Sequence, residues 1–257
     1  MIRILATVIA ALLLAGGAAA QGYPNRPLQI LVGYGPGGGT DIMARVLAGP
    51  LGKALGPSVV VRNIPGAGGQ IAATALLNEG GDGHAILAIN HPDLLMTVDS
   101  GNAPYKAADF QVIMVDVKDP RVLPMLSGEV TANLGDDFGR YNLRDRVTAL
   151  FLAAQDKSPR WPEAQTLTAA LEPFGVKPPS PNFLARYGIY VVPASFKLND
   201  PAKYEKLQKA LLQARQDPQF QEYLAKNELE DLSIGRRGED FEAAFAADMA
   251  ELRQMNR

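Results

Sequence analysis

The stretch that most constrains this chain is Leu28–Leu47. An apolar run, Leu28–Val32, stops at Gly33-Tyr34-Gly35-Pro36-Gly37-Gly38-Gly39, and a segment with helical apolar spacing opens at Thr40-Asp41. Strand, glycine loop and capped helix in that order are how an α/β protein builds an anion site. Thr40 has the chemistry of an N-cap, and Asp41 suits the positive end of the helix dipole. The first amides of such a helix have no internal partner, so a carboxylate or phosphate can take them.

The pattern then repeats. The helix from Thr40 carries Leu47, Leu51 and Leu55 at i+4 spacing, is expected to kink or split at Pro50, and ends at Gly56-Pro57. Ser58–Arg62 reads as a β-branched strand. Asn63-Ile64-Pro65-Gly66-Ala67-Gly68-Gly69-Gln70 is a second glycine loop, Ile71–Leu77 a second helix, and Ala85–Ile89 a third strand ending at Asn90-His91-Pro92. This β-loop-α-β-loop-α-β order predicts a parallel sheet with right-handed crossovers. Both glycine loops would then open into one crevice at the carboxyl ends of neighbouring strands.

Beyond residue 101 the pattern is less regular. Strands are expected at Phe110–Val117, residues 130–134, Val147–Ala153 and Tyr187–Val192, with a short apolar segment at Arg121–Leu126. Ala164–Leu171 reads as a short helix before a proline-rich linker, Pro173–Pro181. Three helices are expected in the tail, from Pro201, Pro218 and Asp240.

Composition removes several classes. The formal charge of −2 over 257 residues lacks the basic footprint of a nucleic-acid binder. There is no cysteine, hence no disulfide and no lipoprotein anchor. Arg3, the apolar run Ile4–Leu14 and Ala18-Ala19-Ala20 form an expected secretory signal peptide cleaved after Ala20, its apolar run too short to span a bilayer. The exported chain is not expected to be membrane-embedded.

Gly33-x-Gly35-x-x-Gly38 formally fits a dinucleotide fingerprint, but Arg62 and Asn63 stand where an acidic residue should end the second strand. No Lys-Ser/Thr follows the glycines, so a P-loop fails. His84 and His91 lack companions at metal spacing. His91, beside Asn90 at a strand edge, is a candidate for the cleft wall. Asp136 and Asp137 sit in an expected turn, where such carboxylates usually satisfy turn amides; Asp136 is retained as a candidate ligand contact. Trp161 and Tyr187 read as packing residues. No nucleophile elbow or catalytic constellation is present, so no enzyme activity, metal or cofactor is expected.

Several motifs occur in an order that resembles the substrate-binding receptors of tripartite tricarboxylate transporters, the Bug family. They are Tyr23-Pro24 with Arg26-Pro27, Gly37-Gly38-Gly39-Thr40-Asp41 with Ala44-Arg45, Pro65-Gly66-Ala67-Gly68-Gly69, Asp82-Gly83, Pro104-Tyr105 and Asp109-Phe110. Weaker matches are Leu126-Ser127-Gly128-Glu129-Val130, Arg144–Leu152, Ser158-Pro159, Trp161–Thr166 and Tyr187-Gly188. The resemblance implies an α/β fold of the periplasmic-binding-protein type II class, with two lobes closing on a small organic carboxylate that passes to a membrane permease. Tyr34, Gly38, Gly39, Thr40 and Asp41 would form one cradle, Ala67, Gly68 and Gly69 a second, and Asn90 the next strand end. The family's second lobe has its own Gly/Ser-rich loop at a helix start. Here the chain runs from Asp116 through Arg121 to Leu126-Ser127-Gly128 without one, and Thr131 stands where an aspartate is common.

The expected organisation is therefore a signal peptide (1–20), a parallel-sheet first lobe (21–112), a reduced second lobe (113–155), and a return segment with C-terminal helices packing mainly on the first lobe (156–257). The alternative function is an interaction or sensory module derived from such a receptor.

Overall fold

The computed structural model describes residues 22–91, 93–99, 101–126, 135–138, 144–154, 157–175 and 185–241. The expected leader, the strand at 130–134, most of the linker and the helix beyond residue 241 lie outside them. Among the described residues no helix is long and apolar enough to cross a membrane.

Strand β1 (Leu28–Val32) lies between β2 (Val59–Asn63) and β3 (Ala85–His91), parallel to both. All seven residues of β3 are buried, as in a strand covered on both faces. The crossover helices take opposite faces. Helix α1 (Gly39–Leu55) packs Met43, Ala44, Leu47 and Leu51 against Ile30, Val32, Ile86 and Ala88. Helix α2 (Gln70–Glu79) packs Ala72, Ala73 and Leu76 against Leu31, Leu87 and Ile89. Side chains alternate along each strand, so one apolar run serves two cores. Helix α1 continues through Pro50 as one element of 17 residues. The expected split does not occur, because Leu47 and Leu51 on either side of the proline are fully buried and hold both halves to the sheet.

After β3 and helix α3 (Asp93–Asp99) the sheet becomes mixed. The long strand β4 (Phe110–Leu126) pairs antiparallel with β8 (Ala185–Pro193), which in turn pairs antiparallel with β3. The two segments expected at Phe110–Val117 and Arg121–Leu126 are thus one strand, with Pro124 placed at a register shift where a missing N–H is tolerated. Beyond Pro120, β4 leaves β8 and pairs with β5 (Gly135–Asp136) and β6 (Val147–Ala153). Strand β7 (Gln165–Thr166) adds to β6, and helix α4 (Leu167–Leu171) follows. Trp161 and Ala164 pack with Ala149 and Leu152. Residues 157–171 therefore stand with this second, smaller sheet.

Helix α5 (Ala194–Asn199) places Phe196, fully buried, over Gly83. Helices α6 (Pro201–Arg215) and α7 (Pro218–Lys226) cover the outer face of α1, and β9 (Ser233–Arg237) returns to β4. One ion cluster ties distant segments. Arg160 is bidentate to Asp137 (Nε to Oδ1 2.8 Å, Nη2 to Oδ2 3.0 Å) and bidentate to Asp231 (2.8 and 2.9 Å). Its Nη1 also donates to the Glu228 carbonyl. Burial works against this guanidinium's charge, but the two carboxylates outweigh it and raise its pKa.

Candidate ligand-binding cleft

The two glycine loops leave adjacent parallel strands at the same end. The Ile64 N–H donates to the Val32 carbonyl (2.8 Å) and the Gly33 N–H to Ala88 (3.2 Å). The loops touch backbone to backbone: a Cβ on Gly33 would stand 3.3 Å from the Gly69 Cα. Gly69 has φ +97°, a conformation that glycine adopts without steric cost. Ala67, with φ +46°, occupies the left-handed region although it carries a side chain, at the exposed loop tip.

Helix α1 starts one residue earlier than its sequence suggests. Gly38 is the N-cap and Gly39 the first helical residue, so Thr40 lies inside the first turn. This frees the Thr40 hydroxyl to reach Asn90 at the end of β3, 3.2 Å away. The Asn90 amide is oriented by its neighbours: with its nitrogen toward Thr40, its oxygen lies 3.0 Å from both Nε and Nη2 of Arg186. Arg186 Nη2 also donates to Asp93 (2.5 Å), and its guanidinium sits 5.2 Å from the centre of the Tyr34 ring. The Tyr34 hydroxyl donates to Asp93 (2.9 Å) and accepts the Asn90 N–H (3.1 Å). Burial, then Asp93, pushes that hydroxyl above its usual pKa.

Asp41 faces the protein. It accepts from the Gly37 N–H (2.9 Å), from Asn63 Nδ2 (2.8 Å) and from both Nε and Nη2 of Arg45 (3.0 and 2.9 Å). Burial opposes its charge, yet these donors hold the carboxyl below the usual range. Since Asn63 also donates to the Tyr34 carbonyl (3.0 Å), Asp41 and Asn63 together set the first loop against the second strand.

The structure brings together Tyr34, Gly39, Thr40 and Asn90, with the second loop alongside. His91 is placed elsewhere. One residue after Asn90, it points through the opposite face of the sheet, 5.6 Å from the Phe241 ring and 6.1 Å from Tyr187. Asp136 pairs through its backbone with Arg121 on β4, and Asp137, expected in a turn, is fully buried against Arg160.

Burial lowers the His91 pKa from 6.5 to about 4. Between these values the unfolded chain binds a proton that the folded chain refuses, so stability falls as pH drops through that window. Urea titrations of wild type and His91→Phe at pH 7, 5.5 and 4.5 should show a shallower loss in the variant. Equal slopes would remove His91 as the cause.

A cavity opens beside the cradle, lined by Gly39, Thr40, Asn90, Arg186, Asp116 and Asp119 above an apolar floor that includes Met43, Tyr190 and Leu232. Its free volume is about 30 Å³, on the order of one or two waters. Asp116 forms a buried ion pair with Arg215, whose pKa burial draws down to about 10. Arg186, Asp93, Asp116 and Asp119 carry no local sequence signal that places them at the cleft, although Arg186 directly precedes Tyr187 in an expected strand.

No family model matches this chain. BugT of Bordetella pertussis is 46% identical over 90 residues, which is 34% of this chain and only 28% of BugT's length. The solved structure of the periplasmic binding protein BugD superposes with a TM-score of 0.73 at 20% identity, covering 90% of this chain and 96% of that one. A protein from R. palustris solved with adipate gives a TM-score of 0.72 at 15% identity over 90% and 96% of the two chains. The fold is that of the periplasmic binding proteins, an α/β architecture on a mixed sheet.

Proposed function

We propose that this chain, a relative of the Bug-family solute-binding receptors, is an extracytoplasmic receptor that captures a small organic carboxylate and delivers it to a tripartite tricarboxylate-type membrane permease. The observation that carries the reading is the convergence of the first turn of α1 and the Thr40–Asn90–Arg186 chain on one cavity, with the second glycine loop packed against the first at Gly33 and Gly69. The solved relative with adipate supports a carboxylate ligand.

No bond is made or broken in this reading. A carboxylate would replace water on amides that the strands already hold in place, and hydrogen bonds to a charged acceptor contribute about 1.5–3 kcal/mol each. Thr40 and Asn90 would position the anion, with Gly38, Gly39, Ala67, Gly68 and Gly69 allowing its close approach. Asp41 would hold the loops rather than meet the ligand. The narrow cavity requires the cleft to open before a dicarboxylate enters, which fits hinge motion between two lobes. The same narrowness favours the second reading, an interaction or sensory module that presents its surface and binds no solute.

A thermal-shift screen against di- and tricarboxylates separates the two, since a ligand that binds only the folded state raises apparent stability by mass action. A shift with one acid that Gly39→Val removes supports the receptor. A variant that binds as well as wild type rejects the cradle, and silence across the panel favours the module.

A further inference from the structure

We infer that the Arg160 cluster is an ionic latch that holds the two lobes closed over the empty cleft, with Arg160–Asp231 the pair that breaks when the cleft opens. The inference rests on the two-lobed receptor reading and adds to it the element that sets how often the cleft is open.

Arg160 belongs to the small sheet. Its neighbour Trp161 packs with Ala149, Leu152 and Ala164 and donates from Nε1 to the Asp137 carbonyl (3.3 Å). Asp137 directly follows β5, and its pair with Arg160 has no exposed side-chain surface. The cation and its inner partner therefore move as one body. Asp231 is fastened to the other side. Leu229 and Leu232, on either side of it, are buried in the core formed with α1, α6 and α7. The Lys118 N–H donates to the Leu232 carbonyl (2.8 Å), in the half of β4 that belongs to the larger sheet. Arg160 crosses to this segment, donating to Asp231 (2.8 and 2.9 Å) and to the Glu228 carbonyl.

The crossing stands at the rim of the cavity. Phe138, next to Asp137, and Leu229 and Leu232, beside Asp231, all line it. Parting the outer pair thus parts cavity walls. The Asp231 side chain is also 46% exposed, so water can replace Arg160 on it at small cost and salt can screen it. The inner pair, wholly buried, keeps the cation in place for reclosing.

The chain has no cysteine. Leu198→Cys on the larger lobe and Phe174→Cys just after α4 therefore give a unique pair of spin-label positions, both exposed. Label-to-label distances, measured by pulsed electron double resonance on protein dialysed free of solute, report lobe opening. Asp231→Asn should raise the ratio of long to short distances by roughly two- to fivefold. Asp231→Lys, which sets a like charge against Arg160, should raise it further. Sodium chloride at about 0.5 M should raise the ratio in the parent and leave Asp231→Asn unchanged. If Asp231→Lys does not fold, Asp231→Asn and the salt series decide. Distance distributions that coincide across parent, variants and salt overturn the latch and leave the receptor reading standing. Silence of the carboxylate panel bears on the receptor reading alone.

Discussion

Arg160→Met is expected to destabilise the protein by about 3–5 kcal/mol, the usual result of removing one partner from a buried ion pair. Arg160 and Asp137 both have fully buried side chains. Methionine fills much of the volume but leaves the Asp137 carboxylate facing a cavity without its cation. The Asp231 carboxylate is about half exposed, at 46%, and can turn to water. Asp231→Asn should therefore cost far less, within about 1 kcal/mol. Urea unfolding of both variants separates the contributions. A small loss for Arg160→Met would mean that Asp137 finds water or another donor. A large loss for Asp231→Asn would mean that the outer pair carries the cluster.

Gly83→Ala should be nearly as severe, about 3 kcal/mol, from two causes that add. Gly83 has φ +81°, where a Cβ costs about 1–2 kcal/mol. The same Cβ would lie 2.2 and 2.4 Å from two atoms of the Phe196 ring, which has no exposed surface to move into. Overpacking of that kind costs about 1–3 kcal/mol. Adding Phe196→Leu to Gly83→Ala should recover part of the steric loss and none of the backbone loss, so the double variant should be less destabilised than the sum of the singles. Strict additivity would show that the ring does not meet the new methyl.

The βαβαβ half was legible because its signals are local. Apolar runs, glycine loops and helix caps lie within a few residues of one another, and parallel crossovers follow from their order. What remained hidden depends on pairings between remote residues. Arg186 joins the cleft only because β8 inserts between β3 and β4, which brings it beside Asn90 and opposite Asp119. The Arg160 cluster likewise unites residues 137, 160 and 231. Pro120 and Pro124 disguised a continuous strand as two pieces. His91 was misplaced for a different reason, since a shift of one residue along a strand exchanges its faces. Thr40 has a side chain suited to capping, but in the structure glycine takes that position and the hydroxyl goes to Asn90.

Strand β4 has a mechanical consequence. Its first half belongs to the sheet that carries the glycine loops and its second half to the small sheet, with the change of partners at Pro120–Arg121. Rotation of the small sheet is therefore transmitted as torque along one polypeptide rod, through the rungs that flank Asp116 and Asp119. Asp119 pairs with Arg186 one rung before that change of partners.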